Sequence, residues 1–173
     1  MSSHFGLSPE DVATQQAVFS SIRRWLDQNG VSFRHVHHQP TFTSEESARA
    51  RGEDLRVGGK ALLMKADGQY ALFVLPANRR VDSQAVRRTL GVRKLRFATR
   101  EELHELTGLV PGCVPPFGRP ILPFPLYVDA TIAQNDRIAF NAGSLTDSIV
   151  MSTEDYLRVA CPTQVFRFAV DDA

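Results

Sequence analysis

Asp67-Gly68 constrains this chain more than any other pair of residues. It lies between two apolar runs, Lys60-Ala-Leu-Leu-Met-Lys-Ala66 and Gln69-Tyr-Ala-Leu-Phe-Val-Leu-Pro76. A two-residue hairpin turn needs positive φ at its centre, which Asp-Gly supplies, and the turn sets the register of the flanking strands. A β-hairpin is therefore predicted over about residues 60–76.

The segments around it carry clear punctuation. Ser8 caps a helix with Pro9 at its first position and Glu10 and Asp11 at the positive end of its dipole. Val12, Phe19, Ile22 and Leu26 recur at helical spacing, Leu7 and Val12 are placed for a hydrophobic staple, and Asn29-Gly30 is the stop. A strand is expected from Val31 to about His37. Thr43 with Glu46 reads as a capping box opening a short helix that ends near Gly52. Asp82 caps a helix over residues 83–90, a strand is expected over 94–98, and Thr99 with Glu102 opens a helix stopped at Gly108. Between Leu109 and Pro125 stand Pro111, Pro115, Pro116, Pro120, Pro123 and Pro125, which demand a shaped loop. Strands over 126–130, 137–141 and 148–151, a helix over 153–160 and a last strand over 164–170 complete the reading. Strands come in hairpin-like runs without regular strand–helix alternation. The expected fold class is α+β, a mixed curved β-sheet or barrel with flanking helices, forming a single domain over 1–173.

Composition removes several alternatives. With 43% apolar and 23% charged residues, the chain has ordinary globular usage, which excludes disorder and a coiled coil. Its apolar runs fall far short of the ~20 residues that span a bilayer, so no membrane role is expected. Cys113 and Cys161 are too few for a disulfide framework, and Met1-Ser-Ser-His-Phe-Gly6 shows no secretory pattern, so the expected location is cytoplasmic. The net charge of +1 hides an asymmetry. Arg79, Arg80, Arg87, Arg88, Arg93, Lys94, Arg96 and Arg100 cluster with one acid, Asp82. Such a segment is either a phosphate-attracting patch or a solvated arginine-rich face.

Several groups could carry chemistry. Gly58-Gly59-Lys60 lacks the remaining residues of a phosphate-binding Walker loop. It leaves a lysine at a strand mouth after two glycines, which let backbone come close to a ligand or merely start a strand. Gly112-Cys-Val-Pro-Pro-Phe-Gly118 is conformationally restricted, and its N–H groups can form an oxyanion-type site or simply connect a helix to a strand. His35, His37 and His38 have no carboxylate or cysteine at ligand spacing, so no metal is assigned. Cys113 has no sequence-adjacent base and reads as a bystander thiol. Asp129, inside an apolar strand, is either a hydrogen-bond hub or part of a site.

Taken together, these segments resemble the YbaK / prolyl-tRNA synthetase-associated editing-domain family. The pieces are Thr43-Ser-Glu-Glu-Ser-Ala48, Gly59-Lys60-Ala-Leu-Leu63, Leu75-Pro76 with Val81-Asp82, Leu90-Gly-Val-Arg-Lys-Leu-Arg-Phe-Ala98, Thr107-Gly108, Gly112 and Pro116-Phe-Gly118, Tyr127-Val-Asp129 and Phe140-Asn-Ala-Gly143. They occur in the family's order across residues 31–160, with no synthetase domain attached. The resemblance implies a mixed β-barrel with helices and a free-standing, trans-acting aminoacyl-tRNA deacylase. Its implied substrate is a mischarged tRNA, often tRNA for proline carrying a small amino acid such as alanine or cysteine. Serine is a further candidate. A catalytically idle tRNA- or synthetase-binding module of the same fold is the alternative.

The resemblance further implies that Lys60 and Gly112 carry the chemistry. Lys60 would hold a phosphate or ribose oxygen, and N–H groups near Gly112 would face the ester carbonyl. It implies that Thr43, Pro116, Phe117, Gly118, Asp129, Gly143 and Ser148 bind substrate. Arg79, Arg80, Arg87, Arg88 and Lys94 are the expected nucleic-acid contacts. No cofactor is implied. The expected partners are an aminoacyl-tRNA and, optionally, a synthetase.

Overall fold

The computed structural model describes residues 6–172; residues 1–5, read above for a secretory pattern, and residue 173 lie outside them. In chain order the elements are α1 (Pro9–Gln28), β1 (Phe33–His37), α2 (Ser44–Arg51), β2 (Gly59–Ala66), β3 (Gln69–Pro76), β4 (Arg79–Val81), α3 (Ser83–Leu90), β5 (Leu95–Phe97) and α4 (Arg100–Thr107), followed after the proline-rich loop by β6 (Leu126–Asp129), β7 (Arg137–Asn141), β8 (Asp147–Ser152), α5 (Thr153–Ala160), β9 (Gln164–Phe166) and β10 (Ala169–Asp171). The fold class is α+β, as expected.

The β2–β3 hairpin is the centre, paired from Gly59–Pro76 down to Ala66–Gln69. It belongs to a five-stranded sheet ordered β5-β2-β3-β6-β9, in which β6 runs parallel to both β3 and β9. A second, antiparallel sheet is ordered β1-β8-β7, and one parallel bridge, Gly58 to Ala139, stitches the two. The strands thus form separate sheets wrapped together. Both faces of β3 are buried: Leu72 and Val74 enter the main core with Ile22, Phe117, Phe140 and Tyr156, while Phe73 and Leu75 join Met64, Val86 and Phe168 in a second core under α3. Burial on both faces is why this strand reads as a continuous apolar run.

Three local expectations change. Val12 is 41% exposed, and Gln15 takes the buried position on α1, where its Oε1 accepts from the Leu145 N–H at 3.1 Å. The Thr43–Glu46 box is half formed: Thr43 Oγ1 accepts from the Glu46 N–H, but the Glu46 carboxylate reaches one residue further, to the Phe42 N–H. The single strand expected over 164–170 is two strands in two sheets. Asp129 causes the break by accepting from the Phe168 and Ala169 N–H groups at 2.6 and 2.7 Å, and β10 then pairs with the unpredicted β4. Among the described residues no helix is long and apolar enough to cross a membrane.

Candidate active site

The start of α2, the start of β2 and the proline-rich loop enclose a cleft of about 180 Å³. Thr43, Lys60 and Gly112, far apart in the chain, all line it. Thr43 is there because it caps α2, and Lys60 because the hairpin register places it one residue inside the mouth of β2, opposite Leu75.

Lys60 is half-buried and makes no hydrogen bond or ion pair among the described residues. Burial pulls its ammonium below the usual lysine value, and the charges of Asp172 and Glu45 oppose that shift. The glycines before it do not open space for a ligand. A Cβ on Gly59 would lie 2.5 Å from Ile138 Cδ1, and one on Gly58 2.9 Å from the Ala77 Cβ. They let the cleft wall pack on itself.

Gly112 sits at φ +95°, where a side chain is strained. The next N–H, of Cys113, is spent on the Val110 carbonyl at 3.2 Å. That leaves the N–H groups of Gly112 and Val114 without a hydrogen-bond acceptor among the described residues, and both residues line the cleft. The Cys113 thiol is fully buried and donates to the same Val110 carbonyl; burial pushes it up to about 12. It stays protonated near neutral pH and is no nucleophile.

Sequence reasoning missed Arg51, the last residue of α2, which lines the cleft although it is only 8% exposed. Its Nε donates to Ser148 Oγ and its Nη2 to Asn141 Oδ1, both at 2.9 Å. Burial lowers it to about 10, with the charge of Glu53 opposing, so it remains a cation. Glu53 itself is engaged by Arg34 and Arg137 at 3.0 and 2.8 Å. In the sequence Arg51 looks like an ordinary last-turn cation before a C-terminal glycine. No local signal marks its burial.

The other expected substrate contacts fall behind the cleft or away from it. Phe117 is fully buried, edge-on to Trp25 at 5.3 Å, and the Pro116 carbonyl accepts from the Tyr156 hydroxyl at 2.7 Å. A Cβ on Gly118 would lie 2.4 Å from the Phe124 carbonyl oxygen. Gly143, at φ +74°, lets α1 approach, since a Cβ there would meet Val18 Cγ1 at 2.4 Å. Asp129 is wholly buried, and its oxygens accept from the Thr131 N–H and hydroxyl and from the Phe168 and Ala169 N–H groups. It is a hub of the frame. Ser148 is also wholly buried; its Oγ contacts Arg51 and Asn141, which line the cleft, and His38 Nε2 at 2.8 Å.

The basic segment does not form one face. Arg87 and Lys94 border a groove with Lys65, Arg93 and Arg96, whereas Arg79 lines a different groove beside Arg56 and lies 3.8 Å from Asp171. Arg80 and Arg88 are exposed outside both. Tertiary pairing also supplies the carboxylate absent near the histidines in sequence. Asp147 Oδ1 lies 2.8 Å from His35 Nε2 and 2.9 Å from His37 Nδ1.

The family model described as aminoacyl-tRNA editing domain matches residues 38–159, a span that holds the whole cleft. The chain belongs to this family. Among its relatives is the multifunctional Ser/Thr-tRNA deacylase ProXp-y of Escherichia coli K12, 38% identical over 146 residues, which are 81% of this chain and 86% of that protein. The prolyl-tRNA editing protein ProX of Acetoanaerobium sticklandii is 25% identical over 86% of this chain and 92% of its own. A crystal structure described as a candidate trans-editing enzyme for prolyl tRNA synthetase superimposes with a TM-score of 0.76 at 26% identity, covering 95% of this chain and 99% of that one. The editing-domain fold thus extends beyond the matched residues to include α1 and the C-terminal strands.

Proposed function

We propose that this chain is a trans-acting aminoacyl-tRNA deacylase, a single cytoplasmic domain that hydrolyses the ester between a small amino acid and the 3′-terminal adenosine of a mischarged tRNA. One observation carries the reading: a half-buried lysine and a loop with N–H groups, both without partners among the described residues, line one small cleft in a member of the editing-domain family. The N–H groups of Gly112 and Val114 polarise the ester carbonyl and stabilise the oxyanion that forms on it. Lys60 holds a phosphate or ribose oxygen of the terminal nucleotide. Water attacks, assisted by the substrate's own ribose hydroxyl. The Cys113 thiol is too basic to compete, and His35 and His37 are engaged by Asp147.

A cleft of about 180 Å³ is smaller than the ~300–1,000 Å³ typical of sites for drug-sized ligands, so it suits a small side chain. Discrimination by size is worth about 1–3 kcal/mol per methylene. The expected substrates are alanine or cysteine on tRNA for proline, and the E. coli relative's name adds serine and threonine to the set to be tested. The polar lining from Thr43, Ser44 and Ser47 suits a hydroxyl-bearing residue.

The test is a deacylation panel of tRNAs charged with Ala, Cys, Ser, Thr and Pro, using the purified protein and Lys60→Ala. Release of at least one small residue by the wild type only is expected. Tight binding of charged tRNA with no release from any would replace the enzyme by a binding module.

A further inference from the structure

Arg51 and Asn141 on the cleft wall, with Ser148 behind them, form a polar chain that ends on the Gly112 loop. A guanidinium has donors only. It therefore claims the oxygen of the Asn141 amide, at 2.9 Å, while Ser148 Oγ, which accepts from Arg51 Nε, stands 3.1 Å from that oxygen and 2.8 Å from His38 Nε2. With its oxygen committed to that side, the amide presents its nitrogen to the loop, and Nδ2 donates to the Gly112 carbonyl at 2.5 Å. The reversed amide would set NH2 against guanidinium and oxygen against carbonyl oxygen. Among the described residues, that one bond is all that holds the Gly112 carbonyl, at a residue whose φ of +95° is not restricted by a side chain.

We propose that Arg51 is a positioning residue for hydrolysis: acting through Asn141, it anchors the Gly112 carbonyl, as Val110 anchors the Cys113 N–H of the same peptide, and so holds in place the loop that carries the Gly112 and Val114 N–H groups on either side. The proposal rests on the deacylase reading. Ser148 Oγ accepts from the guanidinium and holds its orientation, which gives this buried hydroxyl a role without substrate contact. Arg51 also leaves Nη1 without an acceptor among the described residues, so direct contact with a substrate anion is the competing role.

The deciding variant is Asn141→Asp. It keeps the shape and the acceptor for Arg51 and Ser148, but turns an oxygen instead of a donor toward the Gly112 carbonyl. Arg51→Met removes the cause of the amide's orientation, and Ser148→Ala spares the Arg51–Asn141 bond. Each is followed by steady-state deacylation and by amide proton–nitrogen spectra. Asn141→Asp and Arg51→Met are expected to lower kcat by about a hundredfold, the scale of a misplaced reacting geometry, with KM little changed. Both are expected to shift the amide resonances of Cys113 and Val114 while those of α3 stay in place. Ser148→Ala is expected to lose much less.

Loop resonances unmoved in Asn141→Asp would overturn the coupling, whether or not Arg51→Met folds. A raised KM with kcat retained in Arg51→Met would overturn it in favour of direct anion binding. A wild type inactive on every charged tRNA would overturn the deacylase reading, and the spectra alone would then decide whether Arg51 governs the loop.

Discussion

Asp129 and Arg51 are both buried charged residues, and they do opposite things. Asp129 is saturated: a hydroxyl and three backbone N–H groups fill its oxygens, tying β6 to the chain between β9 and β10. Among the described residues, Arg51 spends two of its donor nitrogens on neutral acceptors, bonds no carboxylate, and keeps Nη1 without an acceptor at the cleft wall. A buried polar group whose bonds are all internal is architecture, because any ligand would have to displace them. One left with spare donors beside a cavity is held ready for something outside the fold. The sequence leaves Asp129 open between hub and site and passes over Arg51; the structure buries Asp129 in the frame and sets Arg51 on the cleft wall.

The sharpest way to break this contrast is to delete each partner. Asp129→Ala leaves three buried backbone donors unpaired, which costs on the order of 4 kcal/mol by urea denaturation. A variant with near-normal stability would end Asp129's role as the hub. Lys60→Ala should do the reverse, lowering kcat/KM by about a hundredfold while stability stays within about 0.5 kcal/mol, since the side chain has no bonded partner among the described residues. Loss of stability in step with activity would return Lys60 to the frame.

Asp147 extends the comparison to a partly exposed carboxylate. Burial works to raise it, but bonds from His37, His35, Thr146 and Ser144 outweigh burial and bring it from 3.8 to about 2. A depressed carboxylate contributes stability above its unfolded value, and that contribution is lost as pH falls from about 4 toward 2. Asp147→Asn should therefore cost about 2 kcal/mol at neutral pH. The difference between variant and wild type should close in melts taken at successively lower pH; a gap that persists at the acid end would mean packing, not charge.

Within the loop, Gly112→Val forces a β-branched residue to positive φ, with about 1–3 kcal/mol of strain and a large loss of kcat. Cys113→Ala keeps the backbone donors and should remain active. The opposite ranking would move the chemistry to the thiol. The smallest effect is expected at the rim. Arg87→Glu with Arg88→Glu should flatten the slope of tRNA binding against salt by about one unit for each phosphate that is no longer neutralised. An unchanged slope would direct the tRNA to the other groove, beside Arg79.

Much of the fold was legible in local chemistry. Ser8, Asp82, Thr99 and Asp67-Gly68 each act within a few residues, so their caps and turn appear where the sequence puts them. Where the cause was distant, reading failed. β4 is a three-residue, arginine-rich strand that exists because β10 pairs with it, and β10 starts where Asp129 captures two N–H groups. Of the cleft lining, Thr43, Lys60 and Gly112 were visible through the motifs around them, whereas Arg51 was not.

By itself the sequence determined the central hairpin, the helix ends, the α+β class and the motif order that places the chain in its family, because these depend on spacing and on neighbours a few residues away. Only the tertiary structure decided which polar residues are saturated. Arg51 meets Ser148 and Asn141 across some ninety positions of chain, and Asp129 meets β10 across forty. Hydrogen-bond capacity is written in the residue type, but whether it is spent depends on which distant backbone and side chains packing brings within 3 Å.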